Sequence, residues 1–156
     1  MKVLIACIGN IFCGDDGFGI EVARVLSKRT LPEGVVLRDF GIRGLDLAYA
    51  LLDPWDLAIL VDACPRGGAP GTVYVIEPEI DTQRGDLDPH SMNPVNVLRM
   101  VRSLGGASCP ILLVGCEPED SGPEEGKMGL TPAVSAAVKQ AADRVELLIA
   151  EARIER

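Results

Sequence analysis

Two short stretches, "KVLIACI" at residues 2–8 and "DLAILVDA" at 56–63, are apolar on consecutive rather than alternate positions. An alternating strand leaves one face in water, whereas a strand apolar throughout must be covered on both faces. Such strands belong to parallel sheets flanked by helices, which confines the chain to a few architectures. The intervening segments fit. "FGIEVARVLSKR" (18–29) repeats apolar residues at helical spacing, and "LDLAYALL" (45–52) makes a shorter helix ended before Pro54. "NPVNVLRMVRSLGG" (93–106) carries Pro94 in its first turn, and "TPAVSAAVKQAADRVELLIAEARI" (131–154) opens on Thr131 as N-cap and Pro132 as first helical residue. Gly34 to Phe40 and "CPILLVGC" (109–116) add two strands. "GTVYVIEP" (71–78) follows the turn "RGGAPG" after fewer than ten residues, too short for a parallel crossover, and is expected to return antiparallel. The expectation is a three-layer α/β/α sandwich with a mostly parallel five-stranded sheet, one strand antiparallel, in a single domain over residues 1–156.

Charge narrows the partners. With 15 Lys and Arg against 23 Asp and Glu the formal charge is -8, which argues against a general nucleic-acid binder, since phosphate neutralisation needs a basic face. "VLIACI" and "LAILV" are far shorter than a membrane span, and "MKVLIACIGN" runs into a strand rather than a signal peptide, so no membrane association and a cytoplasmic location are expected. Five cysteines without CxxC spacing suggest neither a disulfide framework nor a thiolate zinc site. Cys7, Cys109 and Cys116 read as core thiols, while Cys13 and Cys64 lie beside candidate site loops.

Open α/β sheets bind ligands beyond the carboxyl ends of their strands. Two of those ends carry candidates: Gly9 to Asp16 after the first strand, and Asp62 to Arg66 after the third. In "GNIFCGDDGFG", Gly9 and Gly14 keep phosphate-loop spacing, but Asp15 and Asp16 stand where that loop needs Lys and Ser or Thr. A phosphate ~4 Å from a carboxylate meets repulsion of roughly 1 to 4 kcal/mol per charge pair, so nucleotide binding is rejected here. Asp15 fits the N-cap of a helix beginning near Gly17, leaving Asp16 to face the crevice. Asp62 ends an apolar strand, where a carboxylate is expensive unless hydrogen-bonded, exposed in a crevice or paired with a cation. His90, the only histidine, lies in "LDPHSMNP" before a helix, where a solvated or capping role is its simplest alternative. Together Asp16, Asp62 and His90 could bind a borderline divalent ion such as Ni²⁺ or Zn²⁺ and leave positions open, although no spacing motif such as HExxH demands it.

At these residues the chain resembles the hydrogenase maturation endopeptidases, which trim the C-terminal tail from the large subunit of [NiFe] hydrogenase. The resemblance covers nearly the whole chain and rests on "CIGNIFCGDDGFG", "LVDACPRGGAPGTV", "HSMNPVNVL", and "LLVGCEPED" followed by "GLTPAV". It implies that Asp16, Asp62 and His90 are the metal-contacting residues, and that no metal is held permanently. The ion would be nickel already installed in the large-subunit precursor, contacted during recognition. Asp16 or Asp62 would then act as general base, with the nickel either polarising the scissile carbonyl or a water, or only holding the tail in register. No Ser/His/Asp or Cys/His signature favours a covalent nucleophile, although Cys64 beside Asp62 keeps one open. A non-catalytic metal-binding chaperone on the same precursor is the alternative. Glu117-Pro118 departs from the Gln-Pro of many family members and is expected to add negative charge near the cleft.

Overall fold

The computed structural model describes residues 1–78 and 93–156. The chain runs β1 (Val3–Ile8), α1 (Phe18–Ser27), β2 (Val35–Gly41), α2 (Gly44–Ala50), β3 (Leu57–Ala63), β4 (Val73–Ile76), α3 (Pro94–Ser103), β5 (Ile111–Cys116) and α4 (Pro132–Ile154). A single turn of 3₁₀ helix over Gly14–Gly17 lies between β1 and α1. The strands form one five-stranded sheet in the order β2-β1-β3-β5-β4. The β1–β2, β1–β3 and β3–β5 pairs are parallel, and β4 joins β5 antiparallel at the edge. The three-layer reading, including the antiparallel strand, is what the structure contains.

Period-two geometry on fully apolar strands creates two cores. Val3, Ile5 and Cys7 of β1, with Ile59 and Val61 of β3, pack under α1 and α4 on one face. Leu4, Ala6 and Ile8, with Ala58 and Leu60, pack under α2 and α3 on the other. Full burial of each Leu or Ile in these strands stabilises the fold by about 1.5–3 kcal/mol, so the central strands are the part of the chain least able to shift. The helices end where their chemistry stops them: Asn93 caps α3 by accepting from the Val95 N–H at 3.0 Å, and Pro94 follows it. No helix among the described residues is long and apolar enough to cross a membrane.

The chain moves from β1 outward to β2, then crosses back to place β3 on the other side of β1. That reversal makes the β1/β3 boundary the topological switch point, the place where sheets of this kind bind ligands beyond the carboxyl ends of their strands. The candidate loops after β1 and β3 are therefore neighbours, although more than 40 residues of chain separate Asp16 from Asp62.

α1 packs closely on these strand ends, and Gly19 is what allows it. A Cβ at Gly19 would lie 2.2 Å from the Ile8 carbonyl oxygen and 2.5 Å from that of Val61, both backbone atoms of central strands. Gly19→Ala must therefore push the helix away from the strand ends. We expect a loss of about 1–3 kcal/mol in urea denaturation. A loss under ~0.5 kcal/mol, the range of an ordinary surface substitution, would show that α1 has room to spare.

Candidate active site

The turn after β1 is built to bring its own end back on itself. Gly9 has φ +152°, and a Cβ there would lie 2.1 Å from the Asp16 carbonyl oxygen, so no side chain fits. The Asn10 side chain accepts from the Phe12 N–H at 2.9 Å, and its carbonyl accepts from the Cys13 N–H at 3.1 Å. The chain then turns into Gly14–Gly17, and the Asn10 N–H donates to Asp16 Oδ2 at 3.1 Å. Asp16 is thus half-buried and held by a main-chain amide just beyond β1. Burial pushes its carboxyl above the ordinary value, and the Asn10 amide offsets only part of this.

Asp15 does not cap α1. Gly17 stands at the cap position with no side-chain bond, and the Asp15 carboxylate turns instead across the fold. It accepts from the backbone N–H groups of Glu119 (2.9 Å), Asp120 (3.0 Å) and Thr131 (2.7 Å), and from the Thr131 hydroxyl at 3.1 Å to Oδ1 and 2.8 Å to Oδ2. Thr131 does stand at the N-cap of α4, as its sequence context predicts, but its hydroxyl is engaged by Asp15 and caps nothing. Asp15 has no exposed surface. Burial alone would raise its pKa, yet the Asp120, Thr131 and Glu119 amides and the Thr131 hydroxyl hold it below the ordinary value. It is a structural anion that ties the β1–α1 turn to the segment between β5 and α4.

Asp62, the last-but-one residue of β3, is 5% exposed and lies near Asp16. Its Oδ1 is buried without a hydrogen-bond partner. Burial, and then the charge of Asp16, push its carboxyl well above the ordinary value, with only the Ala63 N–H opposing them. Two carboxylates whose charges act on each other cannot both ionise freely, so the site is disposed to keep a proton or to receive a cation.

The structure places Asp16 near enough to Asp62 for its charge to act there; His90 lies outside the described residues. Among the described residues no three His, Cys, Asp or Glu side chains converge as a metal cage. Cys64 is half-buried, and burial raises its thiol above the ordinary range despite the opposing Arg66 charge. That is contrary to what a nucleophilic cysteine needs. Glu117 is 5% exposed, and its carboxylate is turned onto the loop that follows β3, where its charge acts on Cys64. Neither the Asp15 nor the Glu117 contacts had a local signal, because their partners lie 43 or more residues away.

The family model described as hydrogenase maturation protease matches residues 20–147. The chain is similar to the hydrogenase 2 maturation protease of Escherichia coli K12, 29% identical over 99% of this chain and 94% of that one. It is also similar to a putative hydrogenase maturation protease of Methanocaldococcus jannaschii, 30% identical over 96% of this chain and 95% of the relative. Among solved structures, the hydrogenase maturating endopeptidase HybD from E. coli superposes with TM-score 0.80 at 30% identity, covering 97% of this chain and 93% of that one.

Two stability measurements separate the paired roles. Asp15→Asn leaves at least one backbone donor facing an NH₂ group and should cost about 1–3 kcal/mol for each such donor. Because the Asp15 pKa is lowered on folding, its contribution is present above the unfolded value near 3.8 and is lost as pH falls through the folded value, so the deficit should shrink in acid. Asp62 has the opposite sign. Its raised pKa favours the folded state fully below the unfolded value and becomes a burden as pH rises through the folded value. Asp62→Asn should therefore raise the Tm of the metal-free protein at neutral pH, by about 2–4 °C per kcal/mol relieved, and the gain should vanish in acid. A lower Tm for Asp62→Asn at neutral pH would mean that the carboxylate is satisfied in solution.

Proposed function

This chain belongs to the hydrogenase maturation protease family, and from that premise we propose that it removes the C-terminal extension of a [NiFe] hydrogenase large-subunit precursor once nickel has been inserted. The observation that carries this reading is the Asp62 carboxyl, buried, unpartnered at Oδ1 and beside Asp16 at the switch point of the sheet. An orphaned buried acceptor with a raised pKa is a poor structural element and a good receptor for a cation brought by another molecule. Asp16 and Asp62, joined by His90, contact the nickel of the precursor, which is part of the substrate and leaves with it. Recognition of the ion in this way makes correct metal loading the condition for cleavage.

In the chemical step a water adds to the scissile carbonyl carbon, the C–N bond breaks, and the proton taken from water passes to the leaving amine. Asp16, half-buried and held by a single amide, is the carboxylate placed to accept that proton, and Asp62 is the one placed to meet the cation. Both carboxyls are raised above the ordinary value, the direction that favours proton exchange over permanent ionisation. The elevated Cys64 thiol supports attack by water over a covalent route.

Incubation with nickel-loaded and nickel-free precursor, followed by intact-mass measurement, should shorten only the loaded form. Equal trimming of both would sink metal recognition, and an untrimmed tail in both would indicate a chaperone. Asp16→Asn and Asp62→Asn should each lower processing by roughly 10²-fold or more, the ordinary contribution of a positioned acid or base.

A further inference from the structure

Asp62 makes one opposing contact, with the N–H of Ala63, and nothing holds its Oδ1. Its aim therefore depends on the course of the main chain as it leaves β3. The strand end itself is paired with Gly115 and Cys116 of β5, and beyond Ala63 the chain is gathered by Glu117, the residue that follows β5. Glu117 Oε2 accepts from the Arg66 N–H at 2.7 Å and from the Tyr74 hydroxyl at 3.0 Å, and Oε1 accepts from the Gly67 N–H at 3.0 Å. The Gly68 N–H also favours its charged form.

The main chain of the same residue completes the clamp. The Glu117 N–H donates to the Thr72 carbonyl and its own carbonyl accepts from the Gly71 N–H, both at 2.9 Å. Just before it, the Cys64 N–H donates to the Cys116 carbonyl at 2.8 Å. The Arg66 guanidinium lies 5.7 Å from the centroid of the Tyr74 ring, closing the outer side. The β3–β4 connection, whose glycines make it pliable, is thus wrapped around one buried carboxylate.

We infer that Glu117 is a positioning residue: by gathering the Arg66 and Gly67 amides and the Tyr74 hydroxyl, it holds the exit of β3 so that the Asp62 carboxyl faces Asp16. This role rests on Asp62 being an acting residue of the site, as proposed above. Glu117 itself touches no substrate. The Arg66 amide, first among its partners, keeps its pKa below the ordinary value, so the clamp stays charged at neutral pH.

The test measures processing of nickel-loaded precursor by Glu117→Ala, Glu117→Gln, Tyr74→Phe and Asp62→Asn, together with amide hydrogen exchange. In Glu117→Ala, kcat should fall about 100-fold with KM within about 3-fold, the signature of a displaced group rather than lost binding. The Arg66 and Gly67 amides should exchange faster while those of β1 do not change. Glu117→Gln should lie between Glu117→Ala and the parent, within about 10-fold of the parent, because its oxygen still accepts from the Gly67 N–H and the Tyr74 hydroxyl can turn to accept from the new NH₂, while the Arg66 N–H is left facing that NH₂. If Glu117→Ala does not fold, Tyr74→Phe decides: kcat reduced about 5-fold at constant KM supports positioning, and parental kcat overturns it. Loss in Asp62→Asn with full kcat in Glu117→Ala overturns the positioning role alone. Parental processing by Asp62→Asn overturns the assignment beneath it.

Discussion

A carboxylate buried out of reach of water is tolerable only where donors replace the water, and the site end of this sheet is organised around one that meets the condition. Asp15 collects three backbone amides and a hydroxyl from the segment between β5 and α4. Each charge-assisted bond exceeds a neutral one, and none can be dropped without orphaning a donor. The consequence is a fixed relation among three stretches: the turn after β1, the loop after β5 and the first residue before α4. Asp16 inherits its place from that relation, being the next residue along the same turn.

Four acidic side chains at this end, Asp15, Asp16, Asp62 and Glu117, divide by their donors. Asp15 and Glu117 are held below the ordinary carboxylate pKa by main-chain amides, and each bridges distant segments. Asp16 and Asp62 have one opposing amide apiece and are raised, Asp62 most of all. Residue type does not distinguish the two classes; the number of N–H groups aimed at the oxygens does. The pair with too few donors is also the pair at the switch point, where a cation or a reacting water can supply what the protein withholds. An under-satisfied pair of this kind lowers stability, and proteins retain such groups at working sites.

Much of the architecture was legible in the order of residues. Consecutive apolar positions in "VLIACI" and "LAILV" required two covered faces, and the short link before "GTVYVIEP" required an antiparallel return. These are local rules of period and length, and they survived because nothing distant competes with them. Thr131 shows where locality stops. Its position before Pro132 correctly marks the start of α4, yet its hydroxyl goes to Asp15, which no spacing rule could reveal. Asp15 as a cap of α1 failed for the same reason, since a remote set of amides outcompeted the nearby use.

By itself the sequence determined the layers, the sheet, the presence of acidic residues at two strand ends and, by resemblance, the family. Those follow from hydrophobic periodicity, chain length between elements and motif order, all of which can be read along a single line. Only the tertiary structure decided that β3 lies beside β1, that Asp15 is a brace while its neighbour Asp16 is left under-satisfied, and that Asp62 keeps a buried oxygen without a partner. Which of two adjacent aspartates is stabilised as an anion depends on donors contributed from more than 100 residues away, and those donors converge only when the sheet has closed.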